Sequence, residues 1–369
     1  MWTQQLLAVR SSSVVTKTVP LPNATDYLRA HGSLDVLIGM VETAAIVKNR
    51  PEKVGAAIPI VIISGFLGAG KTTLMRHLLT DPNGLRIAVL VNDLSALNID
   101  AELIREVSGD TTELQNGCIC CSLSGTAARS LIKISEREKK PDIILVECSG
   151  VTDPWPVAQV ISAIPGIYLD SIVTVVDAAD VEWTQADISA VINPLNLNQI
   201  LAADLILLNK TDLVLDPVLE HTVGWIKKVS PRAQVLRVQG CAVPRSIIFA
   251  NSRTREEVLQ KPVLNKSEGF SSAFLTFDHP ISRADLEKKI ETLPDGILRI
   301  KGYVQLVDTE HRMVLQAVGR RWRWHRAEKD GNENCLVVIG LSSAMTPQGL
   351  NQHFFGAGLR VTELAGAQD

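Results

Sequence analysis

One octapeptide constrains this chain more than any other stretch. Gly65-Phe66-Leu67-Gly68-Ala69-Gly70-Lys71-Thr72 fits G-x-x-x-x-G-K-[ST]. An apolar run at 58–63 precedes it and a helical pattern at 72–79 follows it, so the loop is expected between a buried strand and a helix. Glycines at 65, 68 and 70 let the backbone curl until its N–H groups converge on phosphate oxygens, and the helix N-terminus adds partial positive charge. Lys71 is expected to neutralise β- and γ-phosphate oxygens, and the Thr72 hydroxyl to complete a Mg2+ shell.

Five further apolar runs, at 87–91, 143–146, 172–176, 205–208 and 233–238, are too uniformly apolar for strands with one wet face. They are expected in a mostly parallel sheet covered by helices, which makes this an α/β P-loop domain. After Arg255 the character changes. A polar stretch leads to strand-like 272–277, a helix near 283–293, a Pro294-Asp295-Gly296 turn, and strand-like 297–307, 313–318 and 335–339. That pattern belongs to a smaller α+β domain with a largely antiparallel sheet. At 369 residues and 46% apolar composition the chain is long for one core but able to bury two. The expected division is an N-terminal extension (1–56), the P-loop domain (57–255), a linker (256–269) and the small C-terminal domain (270–369). The extension has one helical pattern near 34–47. Its first 25 residues carry Arg10, Lys17 and a Ser11-Ser12-Ser13 run without an acidic residue, which fits an organellar targeting segment or a frayed bacterial terminus.

Bulk charge excludes some partners. Lys and Arg total 37 against 40 Asp and Glu, so a formal charge of −3 gives no global attraction to nucleic acid or anionic membrane. The apolar stretch 56–67 is interrupted by Pro59, Ser64 and Gly65 and is too short to span a bilayer. Of six cysteines, three crowd together while Cys148, Cys241 and Cys335 are scattered, which suits a reducing, cytoplasmic setting better than a disulfide framework.

Three strand ends carry candidate chemistry. The run 143–146 delivers Glu147, placed to hold the Mg2+ hydration shell or orient the attacking water, or to serve as a plain strand-end carboxylate. Gly150, three residues on, can bring its N–H to the γ-phosphate. Asn209-Lys210-Thr211-Asp212 follows the run 205–208. The Asp212 carboxylate can accept from guanine N1 and the exocyclic amine, a pair of donors adenine lacks, so GTP is expected over ATP. Asn209 can brace the base loop and the Lys210 stem can lie over the ring. Asp177, closing the run 172–176, either caps the next segment or supports the nucleotide side.

Cys118, Cys120 and Cys121 place three thiols within four residues behind Gly117. Such neighbours reach disulfide geometry poorly but suit Zn2+, Cu+ or an iron–sulfur unit. Three sulfurs leave a tetrahedron open, as a transfer site requires; a thiol redox site and inert buried cysteines are the alternatives. Asp93, in the segment Val91-Asn92-Asp93 between P-loop and cysteines, is the candidate link between nucleotide state and thiols, through Mg2+ or through loop ordering. It is otherwise an ordinary acidic loop residue.

Taken together, these residues resemble the CobW-like branch of the P-loop GTPases, which includes zinc metallochaperones. The resemblance rests on Ser64 to Thr73, the segment from Val91-Asn92-Asp93 to Asn98-Ile99-Asp100, Asn116-Gly117-Cys118-Ile119-Cys120-Cys121, Glu147-Cys148-Ser149-Gly150, 173–177 and Asn209-Lys210-Thr211-Asp212. The small domain from Phe270 through Arg299-Ile300-Lys301-Gly302 to Val337-Val338-Ile339-Gly340 is similar too. The resemblance implies GTP hydrolysis coupled to delivery of a metal, commonly zinc, to a client metalloprotein. It implies zinc at Cys118, Cys120 and Cys121, catalytic positions at Lys71, Glu147 and Gly150, and nucleotide contacts at Gly65, Gly68, Ala69, Gly70, Lys71, Thr72, Thr73, Asn209, Lys210 and Asp212. A GTPase switch for metalloenzyme or cofactor maturation and a non-enzymatic metal-sensing scaffold are the competing expectations. A homo-oligomer is compatible with any of them. Two departures stand out. Ala96 replaces a residue that is acidic in many relatives, and 261–269 lacks their histidines.

Arg320-Arg321-Trp322-Arg323-Trp324-His325-Arg326 alternates cationic and aromatic groups. Strand periodicity puts both tryptophans on one face and Arg321, Arg323 and His325 on the other. The expectation is an amphipathic strand with charged tips in water, with a client-binding face or a nucleic-acid contact as alternatives.

Overall fold

The computed structural model describes residues 57–80, 85–91, 125–180, 194–249, 269–327, 334–354 and 360–365. The extension and its 34–47 pattern lie outside the described residues, as do most of the linker, Asp93 and the three clustered cysteines.

The apolar runs form one sheet. Its strands are β1 (Ile58–Gly65), β2 (Ile87–Val91), β3 (Ile143–Glu147), β4 (Ile167–Asp177), β5 (Leu205–Asn209) and β6 (Gln234–Arg237). They run parallel throughout, in the order β2-β3-β1-β4-β5-β6. Between them lie α1 (Lys71–Leu79), α2 (Gly125–Ser135), α3 (Pro154–Ser162), α4 (Pro194–Ala202) and α5 (Asp216–Val229), and α6 (Arg245–Ile248) follows β6. The runs lack polar alternation because both faces are covered. Val61 and Ile63 pack with Leu74 and Leu78 of α1 on one side. Ile60 and Ile62 pack with Leu131 of α2 and Ile161 of α3 on the other. Full burial of each such side chain is worth roughly 1.5–3 kcal/mol.

Register brings the carboxyl ends level. Ile63 and Val91 both pair with Glu147, Gly65 pairs with Val175, and Asp177 pairs with Asn209. One irregularity interrupts β1–β4: Ile60 pairs with Leu169 and Val61 with Ser171, so Asp170 forms a one-residue bulge.

The second sheet contains β7 (Phe270–Thr276), β8 (Ile297–Val304), β9 (Met313–Val318), β10 (Arg321–Arg326), β11 (Cys335–Leu341) and β12 (Arg360–Ala365), in the order β10-β9-β8-β11-β7-β12. Every pairing within it is antiparallel. On one face, Leu275, Ile300, Leu315, Trp322, Trp324 and Leu336 pack under α7 (Arg283–Glu291) and α8 (Pro347–Phe354). On the other, Phe270, Phe274, Leu298, Val337 and Ile339 share a core with Val238, Val243, Ile247 and Ile248 of the first domain.

That second contact corrects the expectation for the basic aromatic strip. Its tryptophan face is buried as periodicity requires, but its cationic face meets protein rather than water. Arg323 donates to the Leu169 carbonyl at 2.6 Å and lies 4.1 Å from the Tyr168 ring centroid, while Arg321 pairs with Asp204. Arg299 on β8 donates to the bulged Asp170 at 2.5 Å, with both side chains almost fully buried. No helix among the described residues is long and apolar enough to cross a membrane.

Candidate functional site

The site is built at the level carboxyl edge of the parallel sheet, where loops from neighbouring strands converge. Gly65, Gly68 and Gly70 have φ of 135°, 78° and 115°, and α1 starts at the next residue, Lys71. No side chain caps this helix and no acidic residue sits in its first turn, so its positive end is left for an anion. Lys71 is buried and folds back to donate to the Phe66 carbonyl at 3.0 Å, which closes the loop around its own cation.

Thr72 Oγ1 donates to Glu147 Oε1 at 3.4 Å. Glu147 is buried at the end of β3, so a hydroxyl and a carboxylate oxygen face each other beside the P-loop. Two hard oxygen donors at this position fit Mg2+. Thr73 is exposed on the next residue of α1.

The base loop is tied to the P-loop through Asn209. Its Nδ2 donates to the Ala69 carbonyl at 2.9 Å and its Oδ1 accepts from the Cys241 N–H at 2.9 Å. Lys210 adopts φ 59° and its ammonium donates to Asp177 Oδ2, while Asp177 Oδ1 accepts from the Ala179 N–H at 3.0 Å. Asp177 thus caps the following turn with one oxygen and ties Lys210 with the other. Asp212 is exposed on the 3-10 turn Thr211–Leu213, and Thr211 anchors that turn to the Val238 carbonyl at 3.1 Å.

Sequence reasoning missed the loop after β6. Cys241, with φ 56°, bonds to Asn209 through its N–H and to the Gly70 carbonyl through its thiol at 3.3 Å. The available signal was position: Gly240-Cys241 follows a strand beside the base strand, and loops at that edge of a parallel sheet line the crevice. Gln199 and Asn198 of α4 were missed too, and both bond to the loop behind Glu147.

Two of the described thiols, Cys148 and Cys241, are poor metal ligands. Burial, with help from neighbouring Glu147 and Asp153, pushes Cys148 up to about 12, and burial pushes Cys241 up to about 11. Both stay protonated near neutral pH. Among the described residues there is no group of three or more His, Cys, Asp or Glu side chains fit to hold a metal.

A glycine-rich loop between strand and helix, an acidic strand end facing its threonine, and an N-K-x-D loop braced against it define a P-loop GTPase. Residues 59–237 match the family model of the CobW/HypB/UreG nucleotide-binding domain, and 270–357 match the cobalamin synthesis protein cobW C-terminal domain. Zinc chaperone YjiA of Escherichia coli (strain K12) is 30% identical over 308 residues, covering 77% of this chain and 94% of that protein. Zinc chaperone CobW of a Sinorhizobium species is 30% identical over 331 residues, covering 77% and 93%. Zinc-regulated GTPase metalloprotein activator 1 of Dictyostelium discoideum is 34% identical over 224 residues, covering 51% and 47%. The chain belongs to the CobW family of P-loop GTPases, and it is a GTP-hydrolysing enzyme.

Proposed function

We propose that this GTPase is a metal chaperone that takes zinc at Cys118, Cys120 and Cys121 and passes it to a client metalloprotein. One observation carries the proposal. The segment 92–124 that bears the thiols departs from the end of β2, where Val91 pairs with Glu147, and Glu147 accepts from Thr72. The stretch of sequence that carries the cargo thiols thus begins at a strand end paired with the hydrolytic carboxylate. Two relatives that span most of this chain are named as zinc chaperones, which supports zinc as cargo. The proposal divides the chain into a GTPase unit at 57–255 and a small unit at 270–369, joined through 256–269.

In the proposed cycle the P-loop N–H groups and Lys71 hold the β- and γ-phosphates, and Lys71 gives up the Phe66 carbonyl to do so. Asp212 reads guanine, Asn209 braces the base loop and Lys210, tethered by Asp177, lies along the ring. Thr72 and Glu147 would hold Mg2+, which supplies charge neutralisation at the phosphates. Glu147 orients water for attack on the γ-phosphorus, the bond to the β-phosphate oxygen breaks, and GDP and phosphate leave. Asp93 reports the change to the thiols by ordering or releasing its loop.

The test is a competition titration of Zn2+ into the reduced protein with GDP or a non-hydrolysable GTP analogue bound, beside Cys120→Ser. One-to-one binding that differs between nucleotides and collapses in the variant is expected. Weak binding indifferent to nucleotide and to Cys120 would overturn the proposal in favour of a switch that assembles metalloenzymes without carrying metal.

A further inference from the structure

The loop behind Glu147, which carries Gly150, is held by residues that no nucleotide motif contains. Residues 148–153 connect Glu147 of β3 to α3, whose N-cap is Asp153. Gly150 presses so closely on the P-loop that a Cβ there would sit 2.6 Å from Leu67 Cδ2 and 2.7 Å from the Leu67 nitrogen. The glycine is required by that approach, and it makes the loop a direct neighbour of the phosphate-binding backbone.

One side chain holds the middle of the loop. Gln199 on α4 is 1% exposed, and its Nε2 donates to the carbonyls of both Gly150 and Thr152, each at 3.1 Å. Its own backbone carbonyl accepts from Thr174 Oγ1 of β4 at 2.9 Å, which fixes the helix against the sheet. The preceding residue, Asn198, donates to Asp153 Oδ2 at 3.3 Å, so α4 grips both the middle and the end of the loop. A third carbonyl, that of Ser149, is held by the Thr152 N–H at 2.9 Å. In a trans peptide the N–H points opposite to the C=O. Tying the carbonyls of Ser149 and Gly150 to protein donors therefore turns the Gly150 and Val151 N–H groups to the other side of the loop. A glutamine suits this task because one amide nitrogen offers two donors in a fixed plane.

We infer that Gln199 is a positioning residue for GTP hydrolysis: it presets the 150–152 backbone so that its amides meet the γ-phosphate without reorganisation. This rests on the sequence expectation that Gly150 brings its N–H to the γ-phosphate in the proposed GTPase cycle. The same helix leads through Asp204 into β5 and Asn209, so one continuous segment sets both the γ-phosphate loop and the base loop. The consequence is selective. GDP offers nothing to the Gly150 loop, whereas GTP and the transition state do.

The experiment compares full-length Gln199→Met, which keeps volume and removes both donors, with Gly150→Ala and native protein. Affinity for GDP and for a non-hydrolysable GTP analogue, kcat and melting temperature are measured together. Gln199→Met should weaken analogue binding and kcat about tenfold, the scale of one lost positioned interaction, with GDP affinity unchanged. Equal change for both nucleotides, including no change, overturns the role of Gln199, because a merely structural glutamine would not separate them. If Gly150→Ala separates the nucleotides while Gln199→Met does not, only the role of Gln199 fails. If neither does, the γ-phosphate placement of Gly150 fails with it. Amide exchange in native protein guards against a misfolded variant. Amides of 149–153 should exchange more slowly with the analogue than with GDP, and equal exchange overturns the inference.

Discussion

A single carboxylate at Asp177 divides its oxygens between shape and function. One oxygen holds the Ala179 N–H and the other holds the Lys210 ammonium, whose backbone is left-handed at φ 59°. The hydrogen bond to Asp177 raises the Lys210 pKa, so the group stays charged and tethered while its stem is free to lie along a base. The Lys210 side chain is 36% exposed, so the pair is valuable for geometry more than for stability. Asp177→Asn should weaken GTP and GDP alike by about three- to tenfold in a fluorescent-nucleotide titration, with little change in melting temperature. A loss confined to GTP would contradict a base-side role. His325 makes a different prediction. Burial, then Lys301 and Arg323, lowers its pKa from 6.5 to about 4, so the folded ring stays neutral while the unfolded ring takes a proton. Stability from this residue is therefore present above pH 6.5 and is lost as pH falls towards 4. Asp204, pushed up to about 6 by burial, titrates in the opposite sense. The difference between variant and native chain isolates the histidine. His325→Gln should gain on the native chain by up to about 3 kcal/mol across that window, read by urea unfolding at each pH.

The P-loop and α1 form an element whose fit depends on a missing side chain. Gly70, at φ 115°, lies where a Cβ would be 2.6 Å from Asn209 Nδ2 and 2.9 Å from Cys241 Sγ. Gly70→Ala should therefore strain the backbone by about 1–3 kcal/mol and also push the Asn209 brace away from Ala69. Gly68→Ala, at φ 78° with nothing within 4 Å, bears the strain alone. Thermal melts and nucleotide titration should show the larger loss of both stability and binding at Gly70; equal losses would mean the Asn209 brace is immaterial. The P-loop strand and helix were legible because a continuous apolar run, a glycine motif and a helical pattern meet in 58–79. The elements at 347–354 and 360–365 were not anticipated. α8 begins Pro347-Gln348-Gly349 and hides only Leu350 and Phe354, too few apolar positions to mark a helix by period.

Across the whole molecule, the small domain is a sheet packed on both faces, and the face towards the GTPase unit is held by charge as well as by apolar contact. Arg299 donates to Asp170 and to the carbonyls of Ile247 and Ile248, each of the latter at 3.0 Å, so its buried cation is fully engaged. Removing one partner leaves the other uncompensated. Asp170→Ala should cost about 3–5 kcal/mol, measured by denaturant unfolding, whereas a surface pair such as Lys227–Asp295 should cost under about 1 kcal/mol. The sequence by itself determined the P-loop GTPase class and the strands of the parallel sheet, because a phosphate loop, an N-K-x-D loop and buried apolar runs are all written in contiguous residues. It also determined that Trp322 and Trp324 share a face, since alternation is local. Only the tertiary structure decided what the opposite face meets. Arg321 and Arg323 find Asp204 and Leu169, which lie 117 and 154 positions away in the chain. Gln199 likewise reaches a loop 47 to 49 residues behind it. No local pattern encodes such partners, because a buried polar group is satisfied by whatever donor or acceptor the packing of distant elements brings to it.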